Sequence, residues 1–258
     1  MISLKKTLWL LALFLIGMLT FMFVSARGKH IIYHKMNVVN TDSPIKELSV
    51  FFISDIHRRK IDEKLVMKVK AGHEIDMVII GGDLAEKGVP RSRIEKNIRN
   101  LARLGPVFYV WGNNDREVGE EVIREIITRH GGKILDNESA GVPSHPQWGI
   151  CGTDDPSSRN VDIDSTLRYI TKYEHVILIT HTPSLFRKVE PYYQPRLMLA
   201  GHTHGGQIRI GKYGLTDKGA FRMEDGRAKL VSNGYGTSTV PLRLGAAPEC
   251  HVITINYA

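Results

Sequence analysis

Cysteine is nearly missing: Cys151 and Cys250 are the two thiols in 258 residues. That excludes a disulfide framework and leaves either one bridge or two separate thiols. No stretch combines a basic stripe with interleaved aromatics, which make up 8% of the chain, so a nucleic-acid surface is not expected. No internal repeat and no low-complexity tract is present, and no linker divides the region beyond residue 45. A GxSxG elbow, a Walker loop and a kinase signature are all absent. Acidic residues are the minority, 27 against 35 basic ones, and the net charge of +8 suits anionic substrates or an anionic membrane surface, although solubility explains it equally well. With 42% hydrophobic and 24% charged residues the composition is that of an ordinary globular domain with a sizeable core, plus a short extra piece.

The extra piece is N-terminal. Lys5 and Lys6 precede an uncharged apolar run over residues 8–24, followed by Ser25, Ala26 and Arg27. As a helix the run spans about 26 Å, just under a hydrocarbon core of roughly 30 Å. An uncleaved membrane anchor over 1–26 is the expectation. A cleaved signal peptide is the alternative, since Val24 and Ala26 are acceptable at the positions before a cleavage site; a buried core helix fails because the run is apolar on every face. Residues 27–44 read as a polar, extended juxtamembrane linker and 45–258 as one folded domain. Lys5 and Lys6 argue for a cytoplasmic start and a domain outside, against the opposing bias of Arg27, Lys29 and Lys35.

From residue 45 on, strands and helices alternate. "LSVFFIS", "MVIIGG" and "VFYVWG" read as buried strands, each followed by helical spacing: Ile61, Leu65, Val66 and Val69; Ile94, Ile98, Leu101 and Leu104; Val118, Val122, Ile123, Ile126 and Ile127. This predicts a mostly parallel sheet. Beyond about residue 133 come shorter runs, "WGICG", "VILIT", "RLMLAG", "QIRI", "AKLVSNG" and "HVITINY", with one helix near 164–173. They predict a second, partly antiparallel sheet packed on the first. The fold class is therefore α/β, with two facing mixed sheets flanked by helices.

Ligands in open α/β sheets bind beyond the carboxyl ends of strands. The apolar runs stop at Asp55 and His57, at Asp83, at Asn113, Asn114 and Asp115, at His181, and at His202 and His204. Any one of these fragments has an ordinary reading as a turn or a surface histidine. Their joint placement points to metal. Imidazole mixed with carboxylate suits Mn, Fe or Zn, and manganese is favoured; two such ions can hold a phosphoester and convert water to hydroxide near neutral pH.

The ordered blocks DIH, GGD, GNND, a lone TH and GHTHGGQ over residues 49–207 resemble the calcineurin-like metallophosphoesterase superfamily. The stretch "GYGTSTVPLRLGAAPE" is similar to the closing segment of a membrane-associated bacterial branch. The resemblance implies a four-layer α/β/β/α fold. It implies that Asp55, His57 and His204 hold one divalent ion, that Asp83 bridges, and that Asn113, His181 and His202 hold the second. A metal-bridged hydroxide would attack phosphorus, and Gly81, Gly82, Gly201 and Gly205 would let the backbone approach the ions. Thr182 and Thr203 are candidate partners of the imidazoles.

Two departures stand out. Asn114 replaces the family's usual histidine, so its amide can hold phosphate or the leaving group but cannot supply a titrating proton; His145, Asp154 and Asp155 are the alternative donors. Arg58 and Arg59 follow His57 and are candidate contacts to substrate phosphate. The reading is a dinuclear phosphoester hydrolase at the cell membrane, acting on a phosphodiester or pyrophosphate that could be lipid-linked. The alternative is an anchored metal-binding or scaffold protein that has lost turnover.

Overall fold

A computed structural model describes residues 4–38 and 47–257. The remaining ends of the expected anchor, linker and catalytic domain (1–3, 39–44, 45–46 and 258) lie outside the described residues. Helix α1 (Leu4–Ser25) is followed by β1 (His30–Val38), β2 (Glu47–Ile53), α2 (Glu63–Lys70), β3 (Met77–Ile80), α3 (Arg91–Leu101), β4 (Val107–Tyr109), α4 (Asp115–Val118), α5 (Glu120–Arg129) and β5 (Lys133–Ile134). Then come β6 (Glu138–Val142), β7 (His145–Gly152), α6 (Ile163–Leu167), β8 (His175–Ile179), α7 (Phe186–Val189), β9 (Leu197–Ala200), β10 (Ala220–Glu224), β11 (Arg227–Val231) and β12 (Glu249–Tyr257).

Two six-stranded mixed sheets result, in the orders β1-β12-β2-β3-β4-β5 and β10-β11-β9-β8-β7-β6. β2, β3, β4 and β5 run parallel, as do β7, β8, β9 and β11; antiparallel pairs occur at β12·β2, β6·β7 and β10·β11. The strands are apolar without alternation because both faces are covered. In β2, Phe51 and Ile53 face the helix layer with Ile94, Ile98 and Ile123, while Val50 and Phe52 face the second sheet with Ile177 and Leu199. A third cluster, including Val176, Leu178 and Met198, packs the second sheet under Phe186 and Val189 of α7.

Three expectations change. The segment taken as a linker carries β1, which pairs in parallel with β12 from His30 to Val38. As an edge strand it is only partly buried, which is why its sequence is half polar. "QIRI" makes isolated bridges only, with Ile208 and Ile210 exposed. The helix expected at 164–173 is broken into α6 and a 3-10 turn at Ile170–Lys172.

Helix α1 has 22 residues, a length of about 33 Å at 1.5 Å per residue. With a mean hydropathy of 2.4 over its best window, it is the helix among the described residues that is long and apolar enough to cross a membrane. Its last turn touches the domain. Met22 is buried, its carbonyl accepts from Arg243 N at 3.1 Å, and the Arg59 guanidinium donates to the carbonyls of Ala26, Arg27 and Gly28.

Candidate metal centre

The chain turns sharply just beyond β2, β3, β4, β8 and β9, and those turns carry the acidic, amide and imidazole side chains. Asp55, His57, Asp83, His202 and His204 all have φ between 50° and 71°. Left-handed backbone at a non-glycine residue is disfavoured, so five cases in one cleft mark a place where geometry is imposed against local preference. Neighbouring glycines make room: a Cβ on Gly82 (φ 83°) would lie 2.5 Å from His181 Nδ1, and one on Gly201 would lie 2.3 Å from Asp55 Oδ2.

The predicted ligands converge. Asp55, His57 and His204 present ligand atoms within 4.8 Å of one another, and so do Asp55, Asp83 and His181; all five are buried. Asp83 Oδ2 lies between the histidine sets, 3.6 Å from His57 Nε2 and 3.4 Å from His181 Nε2. Asn113 Oδ1 is 3.2 Å from His181 Nε2 and 2.9 Å from His202 Nδ1. His57 Nε2 and His204 Nε2 are 3.1 Å apart, and Asp55 Oδ1 is 3.4 Å from His204 Nε2.

Whether this set suits a cation follows from His181. Its Nδ1 sits 2.8 Å from the Gly81 carbonyl, so that nitrogen carries hydrogen, and in the neutral ring Nε2 aims a lone pair at two further acceptors, Asp83 Oδ2 and Asn113 Oδ1. A cation or a proton among them would satisfy these lone pairs, and His202 Nδ1, 3.2 Å from His181 Nε2, is a neighbour that can carry a hydrogen. Burial alone would lower the His181 pKa, yet the Asp83 carboxylate overrides it and pushes it up to about 10. A proton answers the same demand that a divalent cation would. Burial is similarly outweighed at His57, which is raised by the hydrogen bond to Glu86 and by Asp83 and Asp55. Asp83 is driven well down against its burial, chiefly by His181. His204 goes the other way: burial, with the His57 and Arg243 charges adding to it, takes it down to about 4, keeping the ring neutral as a ligand must be. The site therefore fits divalent ions.

Several side chains make contacts that the sequence does not suggest. Asn114 turns its amide to Asp83: Nδ2 donates to Oδ2 at 2.7 Å and the backbone N to Oδ1 at 2.8 Å. Arg59, expected as a substrate contact, is engaged within the protein. Its guanidinium stacks 4.0 Å over Tyr235 and donates to four backbone carbonyls, so no donor face is turned to the cleft. Arg58 pairs with Glu86, whose other oxygen lies 3.0 Å from His57 Nδ1. Thr182 donates to Asp155 and Thr203 accepts from Gly205 N, so neither orients an imidazole. Asp154 is clamped bidentately by Arg116 at 2.9 Å, and His145 starts β7 against the Tyr257 hydroxyl, at the opposite end of the sheet from the cleft.

Sequence reasoning missed Glu86, the Gly81 carbonyl and Arg243. Glu86 follows Asp83 by three residues and was findable by position. Arg243 was not: it reaches His204 Nδ1 at 3.1 Å and the His204 carbonyl at 3.3 Å across a separation of 39 residues.

The family model for calcineurin-like phosphoesterases matches residues 48–206. The chain belongs to that family. This calcineurin-like phosphoesterase is a metal-dependent hydrolase of phosphoesters. It is 40% identical to the uncharacterised protein YpbG of Bacillus subtilis over 91% of this chain and 90% of the relative. It is 24% identical to phosphodiesterase YaeI of Escherichia coli over 80% of this chain and 81% of the relative. Among solved structures, a 5'-nucleotidase precursor from Thermus thermophilus shares the fold with a TM-score of 0.52 at 10% identity, covering 82% of this chain and 54% of that one.

Proposed function

We propose that this phosphoesterase binds two divalent ions, with Asp55, His57 and His204 on one, Asn113, His181 and His202 on the other and Asp83 shared, and that it hydrolyses a phosphodiester or pyrophosphate at a membrane. The observation that carries the reading is the convergence of lone pairs at the carboxyl ends of five parallel strands, with Asp83 Oδ2 within 3.6 Å of both histidine sets. Bound there, the ions supply Lewis acidity, neutralising phosphate charge and making water a nucleophile near neutral pH.

The chain's own residues set the stage. Asn114 fixes both oxygens of Asp83, Glu86 and the Gly81 carbonyl fix the rings of His57 and His181, and Arg243 seats His204 from behind. Water adds across the P–O bond and the departing oxygen takes a proton. Because Asn114 faces Asp83 and does not titrate, substrates with stable leaving anions suit the site best. The apolar, solvent-facing α1 supports a membrane location, and the paired Lys5 and Lys6 support an outward domain.

The test is hydrolysis of bis(p-nitrophenyl) phosphate by the full chain in detergent, with and without manganese. Metal-dependent turnover is expected, and Asp83→Asn should lower it about a thousandfold or more, the scale of losing several kcal/mol of charge stabilisation. Stoichiometric metal binding without hydrolysis would sink the catalytic reading in favour of an anchored metal-binding protein.

A further inference from the structure

Immediately after Gly205 and Gly206 the chain makes a small hairpin whose apolar side chains point nowhere into the protein. Ile210 and Tyr213 exchange backbone hydrogen bonds at 2.9 and 3.0 Å around Gly211 and Lys212. Yet Ile210 is 76% exposed, Tyr213 71% and Leu215 95%. Floppiness does not account for this, because buried Arg209 braces the hairpin from inside, donating to the carbonyls of Gly205 (2.7 Å), Lys212 (2.9 Å) and Thr216 (3.0 Å). A rigid element that shows its apolar residues to water is expected to have an apolar phase to meet.

The hairpin is continuous with the root of α1. Leu244 N donates to Gln207 O and Arg209 N to Leu244 O, and the adjacent Arg243 N donates to Met22 O at 3.1 Å. The same Arg243 side chain contacts His204. Anchor root, hairpin base and metal centre thus share one rim. Lys212, over the Tyr213 ring at 5.4 Å, and Lys218 make no ion pair among the described residues, leaving cations free for anionic headgroups. An aromatic with lysine at an apolar tip suits the boundary between water and hydrocarbon.

We propose that the hairpin of residues 208–215 is a second membrane contact, seated on the bilayer that holds α1, so that the metal centre opens onto the headgroup layer and takes a phosphoester borne by a lipid. The proposal rests on the readings of α1 as an anchor and of the centre as a phosphoesterase, and the test separates all three.

Full-length protein with Leu215→Cys, labelled with an environment-sensitive fluorophore, is reconstituted into vesicles of phosphatidylglycerol and phosphatidylcholine. Cys151 and Cys250 are buried and do not compete for label. A comparison label at Glu174→Cys sits at the start of β8, the end opposite His181. The Leu215 label should be quenched by doxyl-labelled lipid and be several-fold less open to iodide than the Glu174 label. Equal iodide quenching at both positions, with none from lipid, overturns the membrane contact. Failure of the protein to float with vesicles overturns the anchor and the contact together, while hydrolysis of a soluble diester reports the metal centre independently. Paired Ile210→Ser and Leu215→Ser substitutions should reduce the rate on a vesicle-borne phosphoester lipid about tenfold or more relative to the soluble diester, the scale of losing the partial burial of two apolar side chains. Equal loss on both substrates overturns the lipid assignment.

Discussion

Glu86 touches no predicted ligand except His57, yet it decides which His57 nitrogen faces the cleft. With its carboxylate 3.0 Å from Nδ1, a charge contact favours hydrogen on that nitrogen and leaves Nε2 to the cleft. Substituting Glu86→Ala releases the ring and removes a carboxylate from the metal's surroundings; manganese affinity should fall about 10- to 100-fold, as is usual when such an outer hydrogen bond is lost. Metal titration by calorimetry checks it, and unchanged affinity would show that His57 is held by packing alone. Asn114 leads to a kinetic expectation. Without a titrating side chain at that position, rates across a diester series should fall steeply with leaving-group pKa, and alkyl esters should lack acid assistance worth about a hundredfold or more. A flat dependence would mean that another group delivers the proton, and Asp155, held by Thr182 beside His181, is the first to substitute. At this scale the residues that converge on the cleft were legible because each lies next to the strand it ends. The contacts of Arg59 were not legible because its partners, Ala26, Gly28 and Tyr235, are remote in sequence.

Strand β12 sits between β1 and β2 and carries His251, buried with Nδ1 3.1 Å from His34 Nε2 and Nε2 2.9 Å from Ser232 Oγ. Burial, helped by His34, takes its pKa down to about 3 from an ordinary 6.5. The sign follows directly: below 6.5 the unfolded chain accepts a proton that the folded strand refuses, so this group's stability is complete above 6.5 and is lost as pH falls toward 3, by up to about 1.4 kcal/mol per pH unit. Urea unfolding at neutral pH and near pH 5 should show the loss, and His251→Asn should flatten it. An equally steep acid limb in the variant would assign the effect elsewhere. Element by element, β2, β3, β4, β8 and β9 were readable because strands covered on both faces are apolar throughout. "QIRI" was misread for the same reason in reverse: its isoleucines alternate like a half-buried strand but face outward.

Across the whole molecule the consequential difference lies at the N-terminus, where a tether was expected and a strand is found. β1 covers the full length of β12, from His30↔Glu249 to Val38↔Tyr257, and brings buried Met36 and Val38 to the core between the sheets. Removing α1 alone should therefore leave a folded domain, although Arg59 then loses part of its carbonyl cage. Removing everything before Glu47 strips the edge and bares the β12 backbone along nine residues, an open template for pairing with a second chain. A chain beginning at Arg27 should be monomeric and soluble, whereas one beginning at Glu47 should lose about 3 kcal/mol or more, on the scale of uncovering two well-packed core side chains, and should associate. Size exclusion and thermal unfolding of the two truncated chains decide between a structural strand and a dispensable linker. A monomeric, equally stable chain from Glu47 would mean that β1 serves only to lead α1 away from the domain. Loss of stability would instead make the exit from α1 rigid, with the last turn of α1, β1 and the rim of the cleft held together as one body.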